Sequence, residues 1–161
     1  MRKAMAAAAS AIFVVLAPGF VAGVVPWWIS HWRLERVGPR QILGGCLVVQ
    51  GIVVLLGCAQ RFVSQGLGTP APVFPTRHLV VSGFYLFVRN PMYIAVVAVI
   101  FGQAILFGSV ALLEYGAAVW FLFHLFVLIY EEPVLRSTFG AEYDEFCAKV
   151  PRWIPHFRNR V

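Results

Sequence analysis

The stretch from Val110 to Tyr130, VALLEYGAAVWFLFHLFVLIY, holds a single charged side chain, Glu114, and a run of that kind has few places to go. A helix on the surface of a water-soluble fold needs a polar face, whereas a bilayer accepts one that is apolar all round. The segments Ala4–Val25, Ile42–Ala59 and Pro91–Ser109 share this property. Each approaches the ~20 residues that cross a ~30 Å hydrocarbon core at ~1.5 Å per residue. Composition agrees: the 161 residues are 60% hydrophobic and 12% charged, where soluble domains carry about a quarter charged, and the mean hydropathy is +0.80. The expectation is an all-α integral membrane protein forming one domain over residues 1–161. It has about four transmembrane helices, a cytoplasmic cap and a C-terminal amphipathic helix.

Met1-Arg2-Lys3 ahead of the first apolar run has the outline of a signal peptide, but the run extends past the usual length, which favours a retained span. Pro18-Gly19 predicts a kink in it, and Trp27, Trp28 and Trp32 an interfacial belt at its end. The second span carries Gly44, Gly45, Gly51 and Gly57, small residues that let a neighbouring helix come close, and Gln50, expected to hydrogen-bond between helices. Residues 1–59 thus hold two spans. From Gln60 to Asn90 the chain is punctuated by Gly66, Gly68, Pro70, Pro72 and Pro75, and reads as a folded cap over a site, with a short extended piece at Leu79-Val80-Val81. The last two spans are joined by almost no connector, so they form an antiparallel helical hairpin. Gln103 lies mid-span, and His124 fits both an ionisable functional group and a neutral packing residue.

The polar stretch EEPVLRSTFGAEYDEFCAKVPRWIP, Glu131 to Pro155, closes the chain. Pro133 suits the first turn of a helix, Phe139-Gly140 stops it, and Tyr143, Phe146, Cys147 and Val150 then share one face of a second short helix lying at an interface. Cys46, Cys58 and Cys147 lack metal-ligand spacing and the four histidines are dispersed, so no metal is expected. A net charge of +6 spread along the chain suits anionic membrane lipids better than nucleic acid. With both termini cytoplasmic, ten lysines and arginines lie inside and only Arg33, Arg36 and Arg40 outside.

Three blocks carry a resemblance: Leu79 to Gly83 leading into Tyr85, then Arg89-Asn90-Pro91-Met92-Tyr93, and the glutamate pair running through Phe139-Gly140, Tyr143, Val150-Pro151-Arg152 and Pro155. Over roughly residues 66 to 157 the chain resembles the isoprenylcysteine carboxyl methyltransferases and their relatives, the phospholipid methyltransferases. The resemblance implies a membrane enzyme using S-adenosylmethionine, with residues 60–161 as its cofactor-binding core. It implies that His78, Leu79, Val80, Tyr85, Asn90, Pro91, Met92 and Tyr93 line the cofactor site with Glu131 and, in a lesser part, Glu132. Arg89 fits either a role in orienting substrate or a headgroup anchor. Two positions depart from the family: Asn90 stands where the prenylcysteine enzymes carry histidine, and Val127 where they carry an arginine that meets the substrate carboxylate.

Methyl transfer from a sulfonium chiefly requires positioning, so sparse titratable residues suit it. The implied acceptor is hydrophobic, lipid-like or prenyl-linked. The alternatives are a non-catalytic membrane module, such as a transporter subunit or assembly factor, and a membrane lipid reductase.

Overall fold

A computed structural model describes residues 16–34, 37–64, 79 and 81–156. Among these residues every regular element is helical: α1 (Leu16–Ser30), α2 (Pro39–Ser64), a 3₁₀ turn at Gly83–Leu86, α3 (Pro91–Phe107), α4 (Val110–Phe139) and α5 (Ala141–Lys149). Helices α2 and α4 are long and apolar enough to cross a membrane, and α1 and α3 are shorter apolar helices.

Local chemistry sets the boundaries. Gly38 donates its N–H to the Gln41 side chain at 3.0 Å, half of a capping box ahead of Pro39. Pro91 opens α3 at a first-turn position, where its missing N–H costs nothing. Gly108 ends the helix in the left-handed region at φ 64°, and Ser109 Oγ at once accepts the Leu112 N–H as the N-cap of α4. The hairpin is antiparallel as expected, for Tyr93 packs on Phe123 while Phe101 packs on Gly116.

α4 departs from the expectation at Tyr130. It does not end there and restart at Pro133; it continues to Phe139 through a π segment, Val127–Glu131. A proline ring clashes with the carbonyl four residues back, and one wide turn just ahead of it relieves the clash. The same device recurs in α1, where the π segment Phe20–Val24 precedes Pro26. α1 also runs past Val25 and takes Trp27 and Trp28 into its last turns.

Close packing of α2 on α3 rests on small residues. A Cβ at Gly44 would lie 2.6 Å from Leu106 N, one at Gly51 2.8 Å from Ala95 O, and one at Gly102 2.8 Å from Val48 N. Backbones this near exclude any side chain. Gly57 meets the Phe84 ring, whereas Gly45 faces open space and takes no part.

The interhelical bonds expected of Gln50 are made instead by Gln103. Gln50 is exposed on the outside of α2, and Gln103 donates to Ala22 O at 2.6 Å and accepts from Trp32 Nε1 at 3.1 Å. Tyr115 donates to Val21 O at 2.8 Å, so α1 is held against both arms of the hairpin.

α5 is amphipathic as its spacing requires, but its apolar face is already occupied. Tyr143, Phe146 and Val150 are buried against Leu79, Leu135 and Phe139, so this face packs on the protein, not on an interface.

Candidate functional site

The approach to α3 and the C-terminal segment run beside one another. Arg89 N donates to Pro151 O at 2.9 Å and His156 N to Phe87 O at 3.0 Å. Asn90 holds the N-cap position without capping; its Nδ2 donates to Arg152 O at 3.2 Å. The first-turn N–H groups of α3 therefore lack a side-chain cap.

Glu131 and Glu132 sit at the end of the π segment and the start of the α-helical turn, and successive helical residues point about 100° apart. Their surroundings differ accordingly. Glu131 Oε2 accepts from the Tyr93 hydroxyl at 2.7 Å, and the Tyr93 ring lies 4.7 Å from Phe123. The Tyr85 hydroxyl is enclosed by protein, hydrogen-bonded with Cys58 and within electrostatic reach of Glu131 and Tyr93; burial first, then those neighbours, push its pKa well above the ordinary phenol value. One cluster thus draws Cys58 from α2, Tyr85 from the 3₁₀ turn, Tyr93 from α3 and Glu131 from α4.

Glu132 is buried among cations. Arg152 approaches it with Nε at 2.6 Å and Nη2 at 3.0 Å, a bidentate fork, and Arg89 Nη1 adds a third bond at 3.0 Å. Arg89 Nη1 also lies 2.8 Å from Cys147 Sγ, while its Nε is buried without a partner. The bond to Glu132 holds the Arg152 pKa above its usual value. Tyr143 beside them is pushed up by burial, then by Cys147 and Glu132. Two guanidiniums on one desolvated carboxylate form an ion cluster, which fixes the C-terminal segment against the start of α3.

Of the residues implied by resemblance, Tyr85, Tyr93 and Glu131 come together, with Asn90, buried Pro91 and half-buried Met92 alongside in the chain. Glu132 and Arg89 meet each other in the adjoining cluster. Leu79 packs on the α5 face, and His78 and Val80 lie outside the described residues. His124 is engaged with aromatic neighbours: its Nδ1 accepts from Trp153 Nε1 at 2.9 Å, and its ring stacks on Trp120 at 5.5 Å.

Arg152, Cys58 and Trp153 carry no role that the sequence assigns, Cys147 only a place on the α5 face, and Arg152 alone of the first three offers a signal, since it stands inside a matched block. The others reach their partners across turns that no periodicity encodes.

Residues 39–142, from the start of α2 through the glutamate pair, match the family described as phospholipid methyltransferase. A stretch of 78 residues, 48% of the chain, is 35% identical to the protein-S-isoprenylcysteine O-methyltransferase of Schizosaccharomyces pombe. That alignment covers 33% of the yeast protein, so the chain spans about a third of the length of the curated relative it matches.

Proposed function

The chain belongs to the phospholipid methyltransferase family, whose enzymes methylate with S-adenosylmethionine, and from that membership we propose that it transfers a methyl group to a hydrophobic, lipid-like or prenyl-linked acceptor at the cytoplasmic face of a membrane. In this reading α1 to α4 are the four spans. The ends near Arg61, Arg89 and Arg152 face the cytoplasm, and the ends near Arg33 and Arg40 face away, in keeping with the positive-inside rule.

The observation that carries the proposal is the 2.7 Å bond from Tyr93 to Glu131. It joins two of the sequence blocks on which the resemblance rests, 38 residues apart in the chain. Both residues are only partly buried.

S-adenosylmethionine, when bound, supplies an electrophilic methyl on a sulfonium. Its ribose hydroxyls and amino group need acceptors, and its own carboxylate needs donors. The residues fit both demands. Glu131 is a carboxylate with one oxygen held by a tyrosine, and the uncapped first turn of α3 after Asn90-Pro91 offers Met92 and Tyr93 N–H groups at a positive helix end. Tyr85, Leu79, His78 and Val80 complete the proposed lining. Glu132 acts at one remove by fixing Arg89, which is proposed to orient the acceptor. The acceptor's nucleophile then needs only to be held in line with the methyl. Val127 is apolar and buried where the prenylcysteine enzymes carry their arginine, which favours an acceptor without a carboxylate at that point.

Family membership sets this reading above a transport module or a reductase. It is tested by incubating the purified chain, in liposomes of phosphatidylethanolamine with or without a farnesylated cysteine, with methyl-labelled S-adenosylmethionine. Label in the organic phase is expected, and Glu131→Gln should lower it about tenfold or more. No label with either acceptor, and no binding of S-adenosylhomocysteine by the same preparation, would defeat the proposal.

A further inference from the structure

Gln50 sits at the midpoint of the apolar stretch Pro39–Arg61, about 16 Å from either end at ~1.5 Å per residue. That is too deep for its side chain to reach the headgroups. It is exposed, and among the described residues its amide meets no hydrogen-bond partner. Hydrocarbon offers none, and an unpaired amide at that depth is costly.

The residues around it supply a surface. Leu43, Cys46, Gln50 and Val53 follow the three-four-three spacing of a helix-pairing seam. Leu43 and Val53 are 63% and 58% exposed and Cys46 is exposed. Gly44 and Gly51, which pack on α3, lie on the other side of α2, so the seam is independent of the fold's internal contact.

The chemistry of the amide selects the occupant. Two copies inserted in the same orientation are related by an axis along the membrane normal, which places identical residues at equal depth. Gln50 of one copy then faces Gln50 of the other. A primary amide carries both donor and acceptor, so the two satisfy one another. We propose that the chain pairs with a second copy of itself along the outer face of α2, with the two Gln50 amides hydrogen-bonded across the two-fold axis. The inference rests on α2 spanning the membrane, as proposed above.

Cys46, one turn from Gln50 on the seam, is a built-in reporter. A Cys147→Ser chain, whose other thiol Cys58 is fully buried, is purified into phosphatidylcholine liposomes and oxidised with copper phenanthroline. A disulfide-linked dimer is expected, absent when Cys46→Ser is added. Gln50→Leu should cut its yield about fivefold or more, and Gln50→Asn, which keeps the amide, should retain most of it. A yield equal in Gln50→Leu and the parent overturns the proposal, as does no dimer from a chain that resists alkaline carbonate extraction. Cross-linking in native membranes that is lost in liposomes assigns the face to another protein and overturns it equally. Extraction by carbonate would instead remove the spanning premise, a separate result.

Discussion

Glu131 and Glu132 are neighbours in the chain and opposites in their surroundings. Glu131 is half-buried and meets a neutral hydroxyl at 2.7 Å. Glu132 is 7% exposed and bonded by two guanidiniums that draw the C-terminal segment onto the start of α3. The difference lies in the backbone. The π segment ahead of Pro133 ends at Glu131, and Glu132, which begins the α-helical turn, points about 100° away from it. Adjacent identical side chains therefore stand in different surroundings: Glu132 is consumed by the fold, and Glu131 is the one proposed to meet a ligand.

The largest effect should come from the glutamate used by the fold. Glu132→Ala strands the buried guanidinium of Arg89, already short of a partner at Nε, and should destabilise the protein by about 3–5 kcal/mol in denaturant unfolding from detergent. A loss under about 1 kcal/mol would erase the contrast between the two carboxylates. Tyr93→Phe tests the other side: it removes the donor to Glu131 and should weaken S-adenosylhomocysteine binding by about 0.5–1.5 kcal/mol with a smaller change in stability. If stability falls more than affinity does, Tyr93 belongs with the fold as well.

How much of this is legible in the sequence follows from what periodicity encodes. The long apolar runs, Pro91 as a start, and the face of Tyr143, Phe146 and Val150 are local features, and the structure bears them out. A helix apolar on every side gives no sign of which face turns inward. Hence Gln50 reads as an interhelical residue and lies outside, while Gln103 makes the buried bonds. The Glu131–Tyr93 contact joins two recognisable blocks, so its residues can be named from resemblance. The bidentate reach of Arg152 across 20 residues to Glu132 depends on how the chain turns at Gly140, where φ is 54°, and no spacing announces it.

Trp153→Phe removes the N–H that reaches His124 while keeping an aromatic ring, and should cost about 0.5–1.5 kcal/mol of stability and leave cofactor affinity unchanged. A fall in affinity would extend the ligand half of the comparison to the C-terminal segment. At the small end, Arg136→Ala breaks an exposed pair with Asp144, and neither stability nor binding should change measurably.

The central claim is that Glu131, and not its neighbour, is held ready for the cofactor. Isothermal titration of S-adenosylhomocysteine into the purified chain in nanodiscs, wild type against Glu131→Gln, tests it most directly. The predicted result is binding by the wild type and a loss of about 1.5–3 kcal/mol, tenfold or more, in the variant. Equal affinities in two equally folded samples would contradict it.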